Sequence, residues 1–149
     1  MMLARDAWSS WESYTPTFSA GTGVIGNGST QGRYKRWGLN ALWEVLLTVG
    51  STTTFQAGQS ILMTLPAELV RRAGSHLGNT GRVLGSCYFI DDSNHANSRS
   101  GIVTIGDGGN TISFVPTAST GNAATDTTPF TWAVNDRLIG WGACPIEGW

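Results

Sequence analysis

The residues able to do chemistry in this chain are few and scattered. Its two histidines, His76 and His95, both stand in stretches rich in Ser, Gly and Asn. Asp91-Asp92-Ser93-Asn94-His95 puts two carboxylates, an amide and an imidazole side by side, and such oxygen donors suit a hard cation such as Ca²⁺. The run lacks the spaced donors and closing Glu of a calcium loop, and Asp, Asn and Ser also favour turns through bonds to their own backbone. It reads as a polar hairpin loop, in which Asp91, Asp92, Asn94 and His95 are the residues that would face a ligand. Asp107-Gly108-Gly109 reads as a turn for the same reason. Ser86-Cys87 offers nucleophiles but stands in no G-x-S-x-G elbow or catalytic-cysteine context. The segment Gly21-Thr22-Gly23-Val24-Ile25-Gly26-Asn27-Gly28 has the glycines of a phosphate loop without its Gly-Lys-Ser/Thr ending. No acid, base and nucleophile converge here. The expectation is a protein that is not an enzyme and has no catalytic residues, metal or cofactor.

Binding is the better prospect. The chain has seven tryptophans, Trp8, Trp11, Trp37, Trp43, Trp132, Trp141 and Trp149. Trp43, Trp132 and Trp141 fall in strand-like text and are expected in the core. Trp8, Trp11 and Trp149, with Leu3, lie near the termini and are the candidates for attachment or inter-subunit contact, because large aromatics anchor interfaces. Net charge is -1, with a single lysine, so phosphate neutralisation has little to work with and nucleic acid is not expected. Arg33-Tyr34-Lys35-Arg36 and Arg71-Arg72 are the nearest to basic patches. In a strand, Arg33 and Lys35 share one face, and the run reads as a solvated edge strand whose charges discourage sheet-to-sheet pairing. Cys87 and Cys144 stand in apolar, strand-like settings and read as buried thiols, with a disulfide between them left open. No apolar run approaches a membrane span and no signal peptide is evident. The chain is therefore expected to be made in a cytoplasm.

The elements that must position these residues are strands. Of 149 residues only 13% are charged and 20 are glycine, against a usual charged share of about 25%. Such a surface is covered by Ser, Thr, Asn and Gly, a composition suited to short strands and many turns. Expected strands are residues 15–18, 30–37, 40–49, 59–65, 82–90 (interrupted at Gly85), 100–105, 111–115, 129–134 and 136–142. A hairpin is expected around Gly38, with Trp43, Val45, Leu47 and Val49 on one face of its second arm. Pro66–Ala73 is the best site for a helical turn. Residues 116–128 read as a small, polar, mobile loop. Leu3, Ala4, Ala7, Trp8 and Trp11 recur at helical spacing, so residues 1–13 read as a short helical attachment segment ahead of a domain at 14–149. The fold class this predicts is all-β: a single jelly-roll-like antiparallel β-sandwich.

One longer pattern spans the chain. Trp11-Glu12-Ser13-Tyr14-Thr15-Pro16-Thr17-Phe18 is followed by Ile25-Gly26-Asn27-Gly28-Ser29-Thr30-Gln31-Gly32-Arg33-Tyr34-Lys35-Arg36. Then come Gly50-Ser51-Thr52-Thr53-Thr54-Phe55, Leu65-Pro66, Pro129-Phe130-Thr131-Trp132-Ala133 and Asp136-Arg137-Leu138. In order and spacing, over roughly residues 11–141, these motifs resemble a β-sandwich module of actinobacteriophage minor tail, tail-fibre and virion surface (decoration) proteins. The resemblance implies a virion structural protein that assembles as a homotrimeric knob, contacts other capsid or tail proteins, and is localised on the particle surface. It carries no catalytic residues. Relatives often bear the module at the end of a long fibre, whereas here only about a dozen residues precede it. Head and tail locations both remain open at this point. The alternative expectation is a receptor- or glycan-binding module for host adsorption, using loops 91–98 and 116–128.

Overall fold

The computed structural model describes residues 9–66, 69, 82–105, 110–117, 119 and 121–145. Among the described residues nine strands form: β1 (Glu12–Tyr14), β2 (Phe18–Ser19), β3 (Ser29–Trp37), β4 (Asn40–Thr48), β5 (Leu62–Thr64), β6 (Arg82–Ile90), β7 (Arg99–Ile105), β8 (Thr111–Pro116) and β9 (Arg137–Pro145). They make one antiparallel sheet in the order β1-β3-β4-β9-β6-β7-β8-β5-β2. β6, β7 and β8 are a meander. β9 returns to lie beside β6, and β5, joined to β6 by a long connection, lies beside β8. Each arrangement is a Greek key, and the two share the meander. Jelly rolls are built from two such keys, so the expected all-β, sandwich-like class holds.

The ends of the sheet must come together, because β1 and β2 lie at opposite edges yet only Thr15, Pro16 and Thr17 separate them. The Tyr14 hydroxyl donates to the Thr64 carbonyl (3.3 Å), and Thr17 and Thr64 exchange bonds through the Thr64 N–H (3.1 Å) and Thr64 Oγ1 (2.9 Å). The sheet therefore curls until its inner face surrounds one core. Glycines permit the curl. Across the middle of the inner face, Gly32, Val45, Gly140, Cys87 and Gly101 stand in one register row. A Cβ on Gly140 would meet the Phe114 ring at 2.8 Å, and one on Gly101 would meet Cys87 Sγ at 2.8 Å. Small residues leave the space that large ones from facing strands fill.

Alternation sets what fills it. In β4, Ala41, Trp43, Val45 and Leu47 are buried, and Phe89, Val103, Ile105, Ile112, Phe114 and Leu138 join them from neighbouring strands. Each fully buried side chain of this size contributes about 1.5–3 kcal/mol through loss of apolar contact with water. The β3–β4 hairpin closes at Trp37–Asn40 over Gly38 and Leu39, with Gly38 at φ 60°. A glycine at the first central position is what a II′ turn requires.

Several sequence expectations are corrected. The strand expected at 15–18 is instead a corner. β1 ends at Tyr14, and the chain changes edge at Pro16, which has no N–H for a ladder. Glu12 and Ser13, read as the end of a helix, pair with Tyr34 and Arg33. A helix so short is marginal alone, and the open edge of β3 supplies backbone partners that it lacks. β3 is thus the second strand of the sheet and not its edge. Residues 129–134 form no strand; Trp132 folds over Phe55, Phe89 and Phe130 (ring centroids 5.0–6.2 Å) and its indole donates to the Thr125 carbonyl at 2.8 Å. Within the 116–128 connection, expected to be mobile, the described residues are anchored at Ala124. Ala124 is fully buried, donates to Phe114 O (2.6 Å) and accepts from Ile61 N (2.8 Å). The helical turn at 66–73, the Asp107-Gly108-Gly109 turn, Arg71, Arg72 and His76 lie wholly or mostly outside the described residues.

Candidate functional site

The outer face of the sheet carries the features that its inner face cannot. Ser13, Arg33, Glu44, Trp141, Ser86 and Ile102 follow one another across β1, β3, β4, β9, β6 and β7, and beside them run Gln31, Leu46, Ile139 and Tyr88. Between β1 and β9 this face opens into a groove of about 640 Å³, lined among others by Ser13, Gln31, Arg33, Glu44, Leu46 and Ile139. Leu46 and Ile139 stand directly opposite each other and give it an apolar floor. Arg33 Nε donates to Glu44 Oε2 at 2.6 Å. That bond and the carboxylate's charge raise the guanidinium's pKa above its ordinary value. Trp11 borders the same region, with Arg33 Cζ 4.7 Å and Lys35 Nζ 4.9 Å from its ring centroid, an arrangement held by the attraction of cations to the ring face.

Trp141, expected in the core, is 44% exposed. Its neighbours Gly140 and Gly142 face inward together with Leu138 and Cys144, and the Trp43 ring occupies the space over Gly142. Val83, Tyr88 and Ile102 are also exposed, at 55%, 41% and 36%. A patch of large apolar side chains in water marks a contact surface more readily than does a single exposed residue.

The loop at 91–98 is built around Asp91. Its Oδ1 accepts from Ser93 N (3.0 Å), Ser93 Oγ (2.7 Å) and Asn94 N (2.9 Å), and its Oδ2 accepts from Asn97 Nδ2 (3.1 Å). The Ser93 hydroxyl, then the Asn97 amide, holds the Asp91 carboxyl below its usual pKa. Asp91 is buried and its oxygens are occupied by its own loop, so it acts as the turn residue that the sequence suggested. Asn94 Oδ1 accepts from Ala96 N (3.3 Å) at the start of the short 3-10 turn His95–Asn97, while Asp92 pairs with Arg137 at 3.5 Å. Asp136, fully buried, accepts from Asp92 N (2.9 Å) and Ala133 N (2.6 Å) and fixes the loop to the start of β9. Among the described residues no cluster of three His, Cys, Asp or Glu gathers.

Of the candidate contact residues, Trp11 is placed as above, and Leu3, Trp8 and Trp149 lie outside the described residues. Cys87 and Cys144 are buried and free. Cys87 stands opposite Gly140, four residues along β9 from Cys144. At about 3.4 Å per residue that is roughly 14 Å, beyond the 7 Å limit for a disulfide. Burial pushes the Cys87 thiol up to about 12. The groove residues Gln31, Glu44, Leu46 and Ile139 were not singled out in the sequence. The only legible signal was the alternation that puts Arg33 with Lys35 and Glu44 with Leu46 on one face. No family model, no curated protein and no solved structure matches the chain.

Proposed function

We propose that this protein is a structural component of a bacteriophage particle, an oligomeric knob displayed on the virion surface at the head or the tail. The observation that carries this reading is the exposure of three large apolar side chains, Val83, Tyr88 and Ile102, on the adjacent strands β6 and β7. Such a patch is stabilised by removal from water, as happens when copies of a knob pack together. The low-charge, Thr- and Gly-rich composition and the motif order from Trp11 to Leu138 support the same reading. In it, residues 1–8, with Leu3 and Trp8, and the terminal Trp149 contact the capsid or tail scaffold, while the β-domain that begins at β1 projects outward as a homotrimer.

The test combines mass and location. Light scattering on the purified chain gives three subunits, and Ile102→Asp with Tyr88→Ser gives one subunit that keeps the far-ultraviolet circular dichroism of the folded chain but unfolds at a lower temperature, since the stabilisation by association is lost. Gold-labelled antibody against the β-domain decorates intact particles. A single-chain mass at every concentration together with unlabelled particles rejects the proposal.

A further inference from the structure

We propose that the groove between β1 and β9 binds a neutral oligosaccharide. This goes beyond the particle role and stands on the groove alone. A sugar ring has two characters, a face of C–H groups and a rim of hydroxyls, and the groove offers a partner for each. Leu46 and Ile139 form an apolar floor, and exposed Trp141 stands beside it, directly opposite Glu44. Those surfaces take the C–H face. Around them the Gln31 amide, the Arg33 guanidinium and the Glu44 carboxylate are planar groups, each with paired donors or acceptors that match adjacent hydroxyls.

Charge selects among ligands. Arg33 is neutralised by Glu44 at 2.6 Å, so the groove itself has little long-range pull on phosphates or ammonium groups. An anionic ligand would first have to displace the carboxylate. Both members of the pair are partly exposed, at 53% and 39%, and are free to re-aim their outer atoms at hydroxyls. From Trp11 beside β1 to Trp141 on β9 is three strand spacings, about 14 Å, the span of several linked rings and not of one. The groove is open, so each site is weak, and an assembly of several copies multiplies the affinity through avidity.

The experiment is an NMR titration of the isotope-labelled full chain with neutral tri- to pentasaccharides of glucose, mannose, galactose and arabinose at millimolar concentration. At least one sugar shifts the Ile139 methyl and Trp141 indole resonances, saturably and independently of salt. Trp141→Ala weakens that binding about tenfold, the share carried by one aromatic contact. Glu44→Ala also weakens it, without unfolding the chain, since an exposed ion pair adds little stability. Trp37→Ala, which removes an exposed indole at the hairpin end, leaves binding unchanged. Four results overturn the proposal: no shift with any sugar, shifts confined to the 91–98 loop, unchanged affinity in Trp141→Ala, or binding of sulfated sugars alone that salt abolishes. Particle labelling is indifferent to this outcome, so failure of one reading leaves the other standing.

Discussion

Gly85 is the position where a single methyl group should do most damage. It stands opposite Gly142 where β6 meets β9, beside an irregularity in the β6–β7 register between Val83 and Gly85. A Cβ at Gly85 would lie 1.9 Å from the Trp141 carbonyl oxygen, 2.6 Å from Gly142 Cα and 2.8 Å from the Trp141 carbonyl carbon. All three are backbone atoms, so no rotamer change relieves the clash and the two strands must part. Overpacking a core costs about 1–3 kcal/mol, and each ladder bond stretched in the process adds about 0.5–1.5 kcal/mol. Gly85→Ala is therefore expected to destabilise by about 3 kcal/mol or more. That is a large part of the roughly 5–15 kcal/mol that holds a domain folded. For a domain near 150 residues it corresponds to a fall in Tm of about 6–12 °C. Urea unfolding followed by tryptophan fluorescence measures it. Gly38→Ala and Gly58→Ala are the comparison, because nothing lies within 4 Å of a Cβ there and only their positive φ (60° and 70°) opposes the change. Those two should cost about 1 kcal/mol each. If Gly85→Ala costs no more than Gly38→Ala, the close approach of β6 and β9 is not what shapes this sheet.

Three further outcomes are expected. Asp91 has its pKa depressed in the folded chain. Its contribution is therefore complete above the unfolded value of about 3.9 and fades as pH falls through the lower folded value. Asp91→Asn should flatten the acid side of the stability profile, and an unaltered profile would deny the carboxylate its role. Cys87, buried with its pKa near 12, should resist iodoacetamide at pH 8 until urea unfolds the chain; labelling of the native protein at Cys87, read by peptide mass, would contradict its burial. Trp43 Nε1 is buried and finds no hydrogen-bond partner among the described residues. Trp43→Phe removes that orphan donor, whose burial costs about 1–3 kcal/mol, and so offsets much of the lost packing. It should destabilise far less than Phe114→Ala, for which about 3–5 kcal/mol is expected, with both compared by urea unfolding.

The particulars of β4, β9 and the 91–98 loop separate what the chain announces from what folding decides. In β4 Trp43, Val45 and Leu47 alternate on one face behind Ala41, and the other face is marked as the wet one by Asn40, Glu44 and Thr48 between Leu42 and Leu46. Period-two alternation with a polar side is enough to orient a strand, and Trp43, Val45 and Leu47 are indeed inside. The Gly38 turn and the Asp91 loop were legible for a similar reason: their side-chain and backbone chemistry is satisfied locally. β9 was not legible. Leu138, Gly140, Gly142 and Cys144 form one of its faces, and Ile139, Trp141 and Ala143 form the other. By hydrophobicity alone either face could be inside, and a shift of one residue exchanges them. The facing side chains decide: Phe114 and Trp43 already fill the space over Gly140 and Gly142, so the glycine face turns inward and Trp141 is left in water. The corner at Pro16 and the anchoring of Ala124 were hidden for the same physical reason. Their backbone partners, Thr64 for the corner, and Phe114 and Ile61 for the anchor, are far away in sequence, and no local pattern records them. The outer-face groove belongs to this second class. Its residues come from four strands, and although the Gly38 hairpin puts Arg33 against Glu44, only the long-range pairing of β4 with β9 puts Leu46 against Ile139. The sequence alone determined an all-β chain with well-marked turns. Which face of each strand meets water, and hence where a ligand or a partner can dock, was decided by long-range packing.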